Sequence, residues 1–399
     1  MDFAKRLKMI PPYAFAEIEK REVEAIKDGK DIICLGVGDP DGSPPKHIVS
    51  RINEFIRSSE TNRYPDYDGL FEFRDVASKW CEERFGYTLD AKTEVQALIG
   101  AKEGITNLLL AYVNPGDYVL IPDPAYPIYK AGTFFAGGTP YFFPLLEENK
   151  YLPDLDQIDK KIAEKAKIMI INYPNNPTGG VADLDFLRMT VEFCKRYNII
   201  LCNDAAYTEI TFDNYIAPSI LQIEGAKDIS IEIFSFSKSF NMAGWRIGFA
   251  VGNKYIIEGI RKSKVNIDSG QFHPIQIAAK ECLLNSTDFT LKLSETYSRR
   301  RDILIKGFRE LGWRTPVPKA TCFVWLPVPG KETTESFTNK LFDVCGISCA
   351  PGTSFGKWGE GYSRFSLTAS DERIYEAVER MKKNKEVLSL KSYKDMSVV

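Results

Sequence analysis

Lys238 follows an apolar run, Ile231-Glu232-Ile233-Phe234, and stands among Ser235, Ser237 and Ser239. Burial at such a strand end disfavours an ammonium ion and lowers its pKa. A neutral amine there can form a Schiff base with a carbonyl cofactor. Taken alone, the same lysine also reads as a surface residue at the end of a strand. Its neighbours supply what a phosphorylated cofactor needs. Ser235 and Ser237 offer hydroxyls, and Arg246, eight residues after Lys238, offers a guanidinium suited to phosphate. Gly100 lets a backbone approach closely, and a helix starting near Ala101 has free N–H groups for an anion. A plain helix start has the same appearance.

Asp204 ends another apolar run, Ile199-Ile200-Leu201-Cys202. A pyridine ring that serves as an electron sink needs a carboxylate beside its protonated nitrogen. A buried carboxylate is costly unless paired, so an aspartate in this place asks for a cation, and a pyridinium is one. A helix-capping role is the plainer alternative. Asn176 and Tyr207 are potential donors to the phenolic oxygen of such a ring, and Tyr126 is an aromatic able to stack on its face. Arg364 alternates with apolar residues in Tyr362-Ser363-Arg364-Phe365. Its planar fork suits an α-carboxylate, and a structural salt bridge is its other common use.

The elements that must position these residues are legible as alternating patterns. Short β-rich runs occur at 32–35, 95–99, 118–121, 140–143, 168–171, 199–202, 231–234 and 247–250. Such runs suit strands buried on both faces. Helical patterns lie between them; one places Leu184, Leu187, Val191 and Cys194 on a single face. The alternation predicts an α/β fold: a large domain over 46–275 whose mostly parallel sheet is covered by helices, and a smaller α/β domain over 276–399. The first segment, 1–45, is expected to form an N-terminal arm and part of the smaller domain. In such sheets ligands bind beyond the carboxyl ends of the strands. Gly100-Ala101-Lys102, Asp123-Pro124-Ala125-Tyr126, Asn175-Asn176-Pro177-Thr178-Gly179, Asp204-Ala205-Ala206-Tyr207 and Ser235-Phe236-Ser237-Lys238 each follow a strand run.

Composition excludes several other classes. The 399 residues are 44% hydrophobic and 27% charged with a net charge of -2, so there is no basic surplus for nucleic acid. The runs Ser298-Arg299-Arg300-Arg301 and Lys382-Lys383-Asn384-Lys385 read as solvated helix faces. No apolar run approaches the roughly 18 residues of a membrane helix, and the N-terminus lacks a signal-peptide pattern. The eight cysteines include no Cys-x-x-Cys pair, and the only histidines are His47 and His273, so no metal site is expected. Most of these cysteines lie inside apolar runs and read as small buried hydrophobes, and a reducing cytoplasm is the expected location.

In chain order these segments resemble the class I/II, fold-type I aminotransferases. The stretch Ser235-Phe236-Ser237-Lys238-Ser239-Phe240-Asn241-Met242-Ala243-Gly244-Trp245-Arg246-Ile247-Gly248 is similar to that family's cofactor-lysine signature. The segments from Asn175 and Asp204 are two further marks. Tyr64-Pro65-Asp66-Tyr67-Asp68-Gly69 resembles the segment whose tyrosine reaches the phosphate in the neighbouring subunit, and Gly38 resembles the glycine beside the substrate carboxylate. Pro11-Pro12-Tyr13-Ala14-Phe15-Ala16-Glu17-Ile18, Gly100-Ala101-Lys102-Glu103-Gly104 and Asn266-Ile267-Asp268-Ser269-Gly270 resemble the branch that transaminates LL-2,6-diaminopimelate. The glutamate that one group of that branch carries after Tyr64 has no counterpart; Asp66 and Asp68 stand nearby.

The resemblance implies pyridoxal 5′-phosphate (PLP) as cofactor and a homodimer with shared sites. It implies Lys238, Asp204 and Tyr207 as catalytic residues. Gly100, Ala101, Lys102, Tyr126, Asn176, Ser235, Ser237, Arg246 and Tyr64 would serve the cofactor. Arg364, Gly38, Tyr13, Lys102 and Asn176 would serve the substrate. Lys102 would meet a distal carboxylate, or else support the phosphate or point to water. The implied reaction is amino transfer from diaminopimelate to 2-oxoglutarate in lysine biosynthesis. Alternatives are an alanine-, aspartate- or N-acyl-diaminopimelate-type aminotransferase and a PLP β-lyase on the same fold. A ligand-sensing module fused to a DNA-binding domain is not expected, because the pattern begins near Arg6.

Overall fold

The structure is a computed structural model that describes residues 2–57, 59–330 and 332–389. Each of the eight apolar runs forms a strand. These are β1 (Ile33–Leu35), β2 (Val95–Leu98), β3 (Tyr118–Asp123), β4 (Thr139–Pro144), β5 (Ala166–Ile171), β6 (Ile200–Asp204), β7 (Ser230–Ser235) and β8 (Gly248–Gly252). Three more follow: β9 (Phe323–Pro327), β10 (Ile347–Pro351) and β11 (Tyr362–Ser366). The large sheet has the order β2-β8-β7-β6-β5-β3-β4. Its strands are parallel except β8, which runs antiparallel to both β2 and β7. The smaller sheet has the order β1-β10-β11-β9. There β1 lies parallel to β10, with Ile33 opposite Ile347, so the N-terminal segment completes a sheet built otherwise from the C-terminal part.

β-Branched side chains are frequent in the inner strands β5, β6 and β7, where they pack on a surface buried on both faces. Run 140–143 departs from the expectation, because β4 is the sheet edge and only Phe143 in it is buried. All six residues of β7 are buried. Helices cover the faces. Helix Leu184–Tyr197 is capped by Asp183, whose carboxylate accepts the Phe186 N–H at 2.8 Å, and ends at Asn198 with φ 56°. It buries Phe186, Leu187, Val191, Phe193 and Cys194. Leu184, expected on that face, is 40% exposed. As the first helical residue it projects back toward the entering chain. Helix His273–Asn285 straddles residues 275 and 276 and packs against helices Lys46–Ile56 and Phe71–Phe85.

One of the two basic runs is not a solvated face. Arg300 and Arg301, on helix Thr287–Glu310, are 7% and 3% exposed. Arg300 forms a bidentate pair with Asp41 at 2.8 and 2.9 Å and a further bond to Asp371 at 2.9 Å. Arg301 pairs with Asp213 at 2.7 Å. Each guanidinium also lies over a ring, that of Tyr297 at 5.9 Å for Arg300 and that of Phe212 at 4.9 Å for Arg301, while it reaches a carboxylate from a distant segment. Through Asp41, Arg300 also fixes the strand-to-loop segment that carries Gly38.

Candidate active site

The segments after β2, β3, β5, β6 and β7 meet residues of the N-terminal segment and the smaller sheet around a cavity of about 380 Å³. This is the carboxyl edge of the large sheet, where such folds bind ligands. Every residue expected to serve cofactor or substrate lines it except Gly100 and Tyr64. Gly100 immediately precedes the lining residue Ala101, and Tyr64 is 85% exposed, outside the cavity of its own chain.

Lys238 lies on the short helix Phe236–Ser239 that β7 feeds. Its Nζ is partly buried and donates to the Gly38 carbonyl. Burial pushes its pKa down, toward the neutral amine. Ser235 caps the same helix: its hydroxyl accepts the Ser237 N–H at 3.2 Å, and both serines are 9% exposed. Arg246 sits in the left-handed region at φ 55° and donates one Nη1 bond to the Ala243 carbonyl at 2.8 Å. Gly100 has φ 81°, and a Cβ built there would stand 2.6 Å from Arg246 Nη2. Glycine at this turn therefore leaves room for the guanidinium beside the start of helix Ala101–Tyr112.

Asp204 ends β6 and is 6% exposed. Its Oδ2 accepts from the Tyr129 hydroxyl at 2.8 Å, and its buried Oδ1 has no hydrogen-bond partner. Burial raises its pKa from 3.8 to about 6, against the lowering effect of the Tyr129 bond. Asn172 ties this strand end to the next loop. Its Nδ2 donates to the Asp204 carbonyl at 2.6 Å, and its Oδ1 accepts the Asn176 N–H at 2.8 Å. Tyr126 and Tyr207 face the same space, the first with its hydroxyl 3.4 Å from that of Tyr13. The capping alternative for Asp204 does not hold, because no helix follows β6 before Ile220; the Ala206 N–H that helps to lower its pKa belongs to a turn.

Arg364 is 2% exposed on β11. It donates through Nη1 to Asn176 Oδ1 and through Nη2 to the Gly36 carbonyl, both at 2.8 Å. Among the described residues it forms no ion pair, which removes the structural salt bridge as its purpose. Burial lowers its pKa to about 10, so it remains charged at neutral pH. Lys102 also forms no ion pair among the described residues; its Nζ lies 4.8 Å over the ring of Tyr13. Asp68, by contrast, is taken up by Arg261 at 2.8 Å.

A phosphorylated pyridine aldehyde fits these residues. The orphaned Asp204 oxygen asks for a proton donor of positive character. Among the described residues Arg246 and Arg364 pair with no carboxylate, and the Lys238 amine lines the same cavity. Sequence reasoning missed Tyr129, Asn172, Phe15 and Phe323, all of which line the cavity. Tyr129 lies just inside helix Ile128–Ala136, and its ring meets that of Tyr126 edge-on at 6.1 Å; no spacing in the sequence marks it as a partner of Asp204.

Fold and site together define the class: a fold-type I, PLP-dependent transferase of amino groups. The sequence profile of aminotransferase class I and II matches residues 30–381, and the chain belongs to that family. It is 52% identical over 383 residues to LL-diaminopimelate aminotransferase 2 of Trichormus variabilis, covering 96% of this chain and 98% of that one. It is 48% identical over 382 residues to LL-diaminopimelate aminotransferase of Halothermothrix orenii, with the same coverage. Substrate-bound BacF from Bacillus subtilis superposes with a TM-score of 0.93 at 35% identity, over 96% of this chain and 98% of that one. PLP is the cofactor of this family and of this chain. No helix among the described residues is long and apolar enough to cross a membrane, and no cluster of three or more His, Cys, Asp or Glu there could hold a metal ion.

Proposed function

We propose that the chain transfers the amino group of LL-2,6-diaminopimelate to 2-oxoglutarate. The observation that carries this reading is the pair of cations that line one cavity, Arg364 and Lys102, neither of which forms an ion pair among the described residues. A substrate with a carboxylate at each end satisfies both, and the relatives described above are named for such a substrate. Bound there, PLP supplies a carbonyl that captures an amine and a ring that draws electrons from the adjoining carbon.

The chain's own residues do the rest. Lys238 Nζ anchors the cofactor between turnovers and moves the proton at the substrate Cα during them. The Asp204 carboxylate would hold a proton at the cofactor's ring nitrogen, and Tyr129 orients Asp204 through its hydroxyl. Tyr207 and the Asn176 amide would serve the cofactor's phenolic oxygen, and Tyr126 would serve its ring. Ser235, Ser237, Arg246 and the Ala101 N–H hold the phosphate, with Gly100 leaving the space. Arg364 clamps the α-carboxylate beside Gly38, and Lys102 with Tyr13 meets the distal end. Tyr64, exposed on its own subunit, reaches the phosphate of a second copy in a homodimer whose symmetric interface pairs like patches. We read the chain as an arm (1–45), a cofactor-holding unit (46–275) and a smaller unit (276–399), with helix His273–Asn285 as the joint. Eight cysteines free of disulfides suit a reducing cytoplasm.

Kinetics of Lys102→Ala test the substrate. Lys102 is exposed in the free chain, so losing its bond to a charged partner should cost about 1–3 kcal/mol, or roughly five- to 150-fold in kcat/KM. Diaminopimelate should suffer that loss and alanine should not. Equal losses on both donors, or a wild-type enzyme that ignores diaminopimelate, would remove the substrate assignment.

A further inference from the structure

Arg364 raises a physical question that its role as a clamp leaves open. A buried guanidinium without a counter-ion is costly. Arg300 and Arg301 meet that cost with aspartates. Arg364 has only an amide oxygen and a carbonyl, and its Nε is buried without a partner. What surrounds it instead is aromatic. Its Cζ lies 4.0 Å from the ring centroid of Phe323, 4.8 Å from that of Phe355 and 5.0 Å from that of Phe15. The negative face of a ring stabilises a cation without neutralising it. A carboxylate in the same position would compete with the substrate's; a ring leaves the donors free.

The three rings come from three places. Phe323 opens β9, Phe355 follows β10, and Phe15 belongs to helix Ala14–Lys27 of the N-terminal segment. Phe15 meets Phe355 edge-on at 5.4 Å and Tyr13 at 5.5 Å. Tyr13 in turn carries Lys102 over its face at 4.8 Å. A continuous line of rings from one short segment therefore touches both cations that bound the cavity.

We propose that Phe15 is a positioning residue for the substrate's α-carboxylate: it completes a three-ring cage that holds the Arg364 guanidinium in place, and it makes that clamp depend on docking of the N-terminal segment. This rests on the reading of Arg364 as the carboxylate clamp.

The test uses PLP-loaded enzyme and glutarate, a dicarboxylate that cannot react, with binding followed by the cofactor's visible absorbance. Phe15→Leu keeps an apolar side chain but loses the ring, and should weaken glutarate roughly three- to thirty-fold. Phe15→Tyr keeps the ring and should stay close to wild type, which a role in packing alone does not require. In an Arg364→Lys background the Phe15→Leu loss should shrink, since the two residues act on one interaction. Phe355→Leu removes another face of the cage and carries the same expectation if Phe15→Leu does not fold. Wild-type affinity in Phe15→Leu, beside a weakened Arg364→Lys, overturns the proposal alone. An equal Phe15→Leu loss with and without Arg364 also overturns it. Wild-type affinity in Arg364→Lys removes the clamp and the proposal together.

Discussion

Replacement of Asp204 by asparagine should make the cofactor-free protein less sensitive to alkaline conditions. The carboxyl is 6% exposed, one oxygen is held by Tyr129 and the other has no partner. Its pKa stands at about 6 in the fold, against an ordinary value of 3.8. The folded protein thus binds this proton more tightly than the unfolded chain does. Stability assigned to the group is highest at acid pH, falls as pH rises from about 4 through about 6, and stays low above. A difference of about two pKa units corresponds to about 3 kcal/mol in full, and roughly half of it develops between pH 5 and 8. The amide in Asp204→Asn does not titrate. Urea unfolding of both cofactor-free proteins at pH 5 and pH 8 should therefore show the variant gaining about 1.5 kcal/mol on the wild type. Saturating PLP should abolish the wild-type penalty, because its ring nitrogen supplies the missing charge. Parallel pH dependence in the two cofactor-free proteins would refute the reasoning.

Other consequences are equally direct. Gly100→Ala forces a Cβ against the Arg246 guanidinium in a backbone conformation that alanine rarely adopts. Titration of the cofactor-free variant should show PLP affinity down by roughly ten- to a hundred-fold, the loss of a charged hydrogen bond, with binding of unphosphorylated pyridoxal little changed. Tyr64→Phe and Lys238→Ala should each be impaired, and mixed dimers of the two should recover activity, because one hybrid site regains both residues. Absence of recovery in dimers shown to be mixed counts against shared sites.

Much of this site was legible because its chemistry follows strands. Apolar runs such as Ile168–Ile171 and Ile231–Phe234 became buried strands, and the polar residues just beyond them came together at one sheet edge. The direction of β8 was not legible, since a buried run reads alike in a parallel or antiparallel pairing. Nor were the partners of Arg300 and Arg301: Asp41 and Asp213 lie far away in the chain, and only packing of the long helix against both brings them into reach. Tyr129 carries no mark in the sequence that sets it apart from other aromatics; it is fully buried, yet its hydroxyl is the only side-chain donor on Asp204 among the described residues. The cage around Arg364 needs rings from three separated segments, which no local pattern can join.

The central claim is that Lys238 carries the cofactor, and reductive trapping tests it most directly. Purified protein should be yellow, lose its visible absorbance on treatment with borohydride, and yield on digestion one cofactor-bearing peptide that contains Lys238. Attachment of the cofactor to any other lysine, Lys102 included, would contradict the account.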